Sequence, residues 1–153
     1  MKRLCKLPLS RVTRGSLAVM MGVDLLLMLL LPWLVRTFTD QQPGDKLYGD
    51  YLIILYISGI MAELAMWQCR GVLRNVLSGD PFGKDTARRL CIIGGECLTL
   101  AGLYLLFILV LRVFKFFMAL LAVVFGFIGL MLFIFADLFR QAGRYKAEND
   151  RTI

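Results

Sequence analysis

Four runs of about 20 mainly apolar residues leave this chain few ways to fold: roughly Ser16 to Val35, Tyr51 to Cys69, Leu90 to Leu111 and Phe116 to Phe139. An α-helix rises about 1.5 Å per residue, so each run is long enough to cross a hydrocarbon core of about 30 Å. Their Leu, Ile, Val and Phe side chains cover every helical face instead of alternating, so none reads as a half-buried strand. With 59% hydrophobic residues and a mean hydropathy of +0.72, the chain is too apolar for a soluble domain of its length. The sequence predicts an all-α integral membrane four-helix bundle, a single membrane domain over residues 1–153.

Orientation follows from the basic residues, which are retained on the cytoplasmic side of a membrane. Lys2, Arg3, Lys6, Arg11 and Arg14 precede the first span, and Arg36 and Lys46 follow it. The second loop, 70–89, carries Arg70, Arg74, Lys84, Arg88 and Arg89, whereas the third has only Arg112 and Lys115. Arg140, Arg144, Lys146 and Arg151 lie in the tail, 140–153. Both termini and the second loop are therefore expected inside. Trp33, Phe38, Tyr48, Tyr51, Phe114, Phe116 and Phe117 would form one interfacial aromatic belt, with Trp67 and Tyr145 at the other.

The first span resembles an export signal in being basic and then apolar, but it is long enough to cross and no A-x-A-like site follows it in Arg36–Thr39. It is expected to remain as an anchor, with Pro32 bending or ending its last turn. Cys5, Cys69, Cys91 and Cys97 all fall at or below the cytoplasmic interface on this map or within a span, where free thiols are expected. There is no histidine, which removes imidazole general bases and every metal or haem site that needs one. No cofactor is expected.

The second loop has internal structure. Arg70 to Leu77 extends the second span as a cytoplasmic helix, with Val72, Leu73, Val76 and Leu77 opposite Arg70, Arg74 and Asn75. Ser78-Gly79 stops it, Asp80-Pro81-Phe82-Gly83 makes a turn, and Asp85 or Thr86 is the expected N-cap of the third helix. Phe82-Gly83-Lys84-Asp85-Thr86-Ala87-Arg88 approaches the D-G-x-x-A-R pattern of membrane CDP-alcohol phosphotransferases, but the first aspartate is absent and the spacing is one residue off. Only Glu96 follows in the next helix, so a two-metal carboxylate site cannot be assembled. The chain is not expected to be an enzyme.

The sharpest anomaly is one acid in each span: Asp24, Glu63, Glu96 and Asp137. A carboxylate at mid-span costs roughly 2.5 to 3.5 kcal/mol on insertion scales, so such residues are structural or functional, not incidental. Glu63 and Glu96 each lie about 9 Å from the inner end of their span. The preferred reading is that the four acids pair with inner-interface arginines, hydroxyls or backbone and fix helix register, or simply snorkel to the inner surface. The rival is a small proton- or cation-coupled transporter using Asp24, Glu63 and Glu96. Small residues at four-residue spacing, Ser58 with Ala62, Gly95 with Thr99 and Ala122 with Gly126, then Gly129, fit close helix packing in a monomer or a homodimer.

Phe135 to Gly143, the terminal Glu148-Asn149-Asp150-Arg151-Thr152-Ile153, and Gly79-Asp80-Pro81-Phe82 followed by Thr86 and Arg89-Leu90 together resemble a bacterial four-span family, domain of unknown function 2975. Thr86 stands where that family usually has Asn, and Arg151 where it has Leu. The resemblance implies a bacterial inner-membrane protein, often encoded beside a small helix-turn-helix regulator, and hence a membrane partner for such a protein. The Pro81-Phe82 turn, the Arg88-Arg89 corner and the tail motif of Glu148, Asn149, Asp150, Thr152 and Ile153 would then face that partner, the tail docking as a short peptide. No DNA-reading helix is present in the chain itself, so direct nucleic-acid binding is not expected.

Overall fold

The computed structural model describes residues 6–39, 45–79, 81–110 and 115–149. They form four α-helices: α1 (Lys6–Thr39), α2 (Asp45–Leu77), α3 (Lys84–Val110) and α4 (Lys115–Asn149). Each carries a stretch long and apolar enough to cross a membrane. Their apolar side chains point outward to a degree no water-soluble protein tolerates: Leu29, Leu109 and Phe116 are each at least 80% exposed, and water would have to solvate them. Lipid removes that cost, and the chain is a multi-pass membrane protein.

The helices outrun the apolar segments. α1 begins ten residues ahead of Ser16 and passes through Pro32 to Thr39, so the proline neither ends nor follows the last turn. Its missing N–H costs one intrahelical bond to the Met28 carbonyl. α2 starts at Asp45, within the expected first loop, and it runs without a break through the predicted cytoplasmic extension to Leu77. α4 continues ten residues beyond Phe139, making helix of most of the expected tail.

The chain divides into two compact units, Met1–Met66 and Trp67–Ile153. In the first, α1 and the leading part of α2 form a hairpin. Met28 lies on Gly59, the Tyr48 hydroxyl donates to the Pro32 carbonyl at 3.3 Å, and Leu31, Val35 and Ile54 are buried. Ser58 satisfies its hydroxyl on the Ile54 carbonyl, one turn back in its own helix.

In the second unit α3 and α4 pack along a seam of small residues. Ala87, Gly94 and Ala101 on α3 and Ala122, Gly129 and Ala136 on α4 are all buried. Each set repeats every seven residues, which keeps one stripe of a helix facing its partner. Gly94 and Gly129 meet backbone to backbone: a Cβ on Gly129 would stand 2.9 Å from the Gly94 carbonyl oxygen. Antiparallel register then carries Ala87 toward Ala136 and Ala101 toward Ala122. The expected Gly95 and Thr99 contact is not the seam; Gly95 has nothing near it, and Thr99 donates to the Gly95 carbonyl. Tyr104 and Phe125 stack beside the seam with ring centroids 6.0 Å apart.

Candidate functional site

The end of α2, the turn after it and the start of α3 are tied by one polar cluster. Gln68, Gly71 and Asn75 recur at three- and four-residue intervals and so share a face of α2. Arg89 reaches that face from α3. Its Nη1 donates to Gln68 Oε1 at 3.0 Å, its Nε donates to Asp85 Oδ2 at 2.9 Å, and its guanidinium fills the space over Gly71. A Cβ on Gly71 would stand 2.6 Å from the Arg89 Cζ, so glycine is what lets the two helices close on this side chain.

Asn75 completes the cluster. Its Nδ2 donates to Asp85 Oδ2 at 2.8 Å and approaches the Thr86 hydroxyl at 3.3 Å. Thr86 and Ala87 have no exposed surface. Asp85 lies ahead of the apolar run that begins at Leu90 and is more than half exposed. The Asn75 amide first, and then Arg89, hold its carboxyl below the usual carboxylate range, so it stays ionised at neutral pH. It also sits in the first turn of α3, where a negative charge meets the positive end of the helix dipole.

The N-cap differs from expectation. The Gly83 carbonyl accepts from Thr86 N at 3.1 Å and from Ala87 N at 3.3 Å, so Gly83 occupies the cap position and Asp85 and Thr86 already lie inside the helix. Their side chains look sideways to α2 instead of back to the turn. At the other end of the loop Ser78 N donates to the Arg74 carbonyl and Gly79 takes a φ of +91°. That left-handed conformation favours glycine and closes α2, as the Ser78-Gly79 pair predicts.

The turn is pinned to α4 as well. Phe82 packs against Phe139 with centroids 5.4 Å apart, and its carbonyl oxygen would lie 2.5 Å from a Cβ on Gly143. Thus of the loop residues singled out in the sequence, Phe82 and Arg89 are used internally. Pro81 is half-buried, and Arg88 is exposed. Gln68 and Gly71 were not singled out, Asn75 was read only as part of the polar side of the helical extension, and Phe139 only as the end of the fourth span; the signal for the first three was their shared helical spacing.

The intramembrane acids separate into two kinds. Asp137 is exposed and accepts from Gln141 Nε2 at 2.9 Å, one turn on. Asp24, Glu63 and Glu96 each bury one carboxyl oxygen that finds no hydrogen-bond partner, so arginine pairing does not account for those three oxygens. Among the described residues, no three His, Cys, Asp or Glu side chains are grouped to hold a metal ion. Cys69, Cys91 and Cys97 are free thiols. Glu148 is exposed near the end of α4. The side chain of Asn149, together with Asp150, Thr152 and Ile153, lies outside the described residues, as does Cys5.

No curated protein and no solved structure matches the sequence. The sequence model of a family described as "Protein of unknown function (DUF2975)" matches residues 16–153, a range that takes in both helix pairs, the clamped turn and the α4 extension. The chain belongs to that family.

Proposed function

We propose that this protein is an inner-membrane tether for a cytoplasmic protein, such as a helix-turn-helix regulator, and that it has no enzymatic activity of its own. Both ends of the chain and the second loop then face the cytoplasm, in keeping with fourteen of the 18 Lys and Arg residues falling there. The observation that carries the reading is the pinning of the Pro81-Phe82 turn. Phe82 against Phe139, and its carbonyl against Gly143, join the turn to the polar extension of α4. A surface of fixed shape loses little entropy when a partner docks on it. The tail motif from Glu148 to Ile153, next in the sequence, would supply a second contact.

The test is affinity capture from native membranes with the tag at the N-terminus, comparing the intact chain with one ending at Tyr145. A cytoplasmic DNA-binding protein recovered with the intact chain and lost on truncation is the expected result. Recovery of the chain alone, or of the same protein with both, would sink the reading.

A second reading rests on the three carboxyl oxygens without partners. Carboxyls with one buried, unpartnered oxygen, as in Asp24, Glu63 and Glu96, suit proton or cation transfer, because an oxygen that lacks a fixed partner is free to take one. In sealed vesicles, replacing each by Asn or Gln should then abolish pH-dependent transport. Transport that survived all three replacements would remove this reading.

A further inference from the structure

One side of the α3 and α4 pair is left unused by the polar clamp. The seam fixes how both helices are rotated, since Ala87, Gly94 and Ala101 face Ala122, Gly129 and Ala136. Arg88, one residue past Ala87, stands about 100° round α3 from the seam. Arg140 and Arg144, four and eight residues past Ala136, stand about 40° and 80° round α4. Because the helices are antiparallel, these rotations lead to the same side of the pair.

All three arginines are exposed there, and none forms an ion pair with a described residue. The nearby acids are engaged elsewhere or outnumbered. Asp85 is held by Asn75 and Arg89. Asp137 and Glu148, one and twelve residues past Ala136, share the side, but they are two carboxylates against three guanidiniums, and Asp137 already accepts from Gln141. The patch keeps a net positive charge. It also stands at a definite height, because Arg88 precedes the apolar run that starts at Leu90, and Arg140 follows the one that ends at Phe139.

Below Arg88 the same face of α3 continues as Ile92, Gly95, Thr99, Gly102 and Leu106, at alternating four- and three-residue steps. Ile92 and Leu106 are exposed, and neither Gly95 nor Gly102 has an atom within 4 Å of where a Cβ would stand. The Thr99 hydroxyl is spent on the Gly95 carbonyl, which leaves the face apolar in effect.

We propose that this side of the pair binds one anionic diacyl phospholipid. Arg88, Arg140 and Arg144 hold the phosphate headgroup, and an acyl chain lies along the face from Ile92 to Leu106. Charge complementarity selects the occupant: guanidinium groups at the edge of the hydrocarbon match a phosphodiester in charge and hydrogen-bonding geometry. The apolar face directly beneath has no use for a soluble anion. The site lies wholly within residues 67–153 and does not depend on the tether reading.

Native mass spectrometry of the full chain, purified in detergent and titrated with phosphatidylglycerol or phosphatidylcholine, tests the proposal. Phosphatidylglycerol should be retained and phosphatidylcholine released. The R88Q/R140Q/R144Q variant should lose affinity on the order of 100-fold, and R88K/R140K/R144K, which keeps the charge, should hold most of it. R70Q/R74Q/K146Q removes as much charge from the same end of the chain but off this face, since Lys146, ten residues past Ala136, stands about 80° round α4 to the other side of the seam, and should change affinity by less than about threefold. Filling the face with G95L/G102L should weaken retention while the arginines remain. Equal retention of both lipids, equal loss in the two glutamine variants, loss in the lysine variant matching that in R88Q/R140Q/R144Q, or unchanged affinity in G95L/G102L would each overturn it.

Discussion

Arg88 and Arg89 are chemically identical neighbours with opposite employment. Arg89 bridges Gln68 and Asp85 across two helices and rests on Gly71, whereas Arg88 is exposed and unpaired among the described residues. Removing Arg89 leaves the Gln68 carbonyl without its donor and opens a gap above Gly71. An exposed i, i+4 ion pair adds little, so most of the effect comes from the Gln68 bond and the lost packing. Arg89→Ala is expected to destabilise the folded protein by about 1 to 2 kcal/mol. Arg88→Ala should fall within about 0.5 kcal/mol of wild type. Thermal unfolding in detergent measures both. A single residue step, about 100° of helix, separates the two roles. The pair was legible in the sequence as a basic corner, but its division of labour was not, because that depends on which face α2 offers to α3.

At the scale of elements, the α3 and α4 seam shows how spacing misleads when only one period is considered. Small residues four apart pointed to Gly95 with Thr99, yet the buried set recurs every seven residues from Ala87 to Ala101 and from Ala122 to Ala136. Both patterns coexist in the chain, and Gly129 belongs to each reading. A Cβ added at Gly129 meets the Gly94 carbonyl, a backbone atom that cannot turn aside, so Gly129→Ala must push the helices apart. The expected cost is about 1 to 3 kcal/mol. Gly95→Ala meets nothing and should be neutral or slightly stabilising through helix propensity. Denaturant unfolding of the two variants side by side reads the difference, and equal stability would refute the seam. The turn obeys the same logic. Gly143→Val drives a side chain into the Phe82 carbonyl, so residues 78–83 should leave α4 and exchange their amide hydrogens faster, with little change at Gly94 or Gly129. An unaltered exchange pattern would mean that the turn is not pinned there.

For the whole molecule, length and hydropathy carried most of the fold. Bilayer thickness and helix rise constrain a chain with four apolar runs so tightly that local propensity has little left to decide. The helix ends were less legible. The extension of α4 beyond Phe139 is polar enough to read as tail, and α2 begins at Asp45 within a stretch whose Pro43-Gly44 reads as a turn. What water does at those ends is set by sidedness, which the uneven Lys and Arg distribution predicts through the cost of moving basic loops across the membrane. The clamp adds a physical argument to that count. Asp85, Arg89, Asn75 and Gln68 join the second loop into one unit with the ends of α2 and α3, so inverting the topology would carry five basic residues of that loop across together. A reporter enzyme active only outside the cytoplasm should therefore be silent when fused after Ile153 and active when inserted between Asp40 and Gly44. Replacing Arg70, Arg74 and Arg88 by Gln should weaken that preference and yield a measurable fraction of inverted chains. Activity of the fusion after Ile153 in the unmodified chain would reverse the orientation, and with it the tether on the cytoplasmic side.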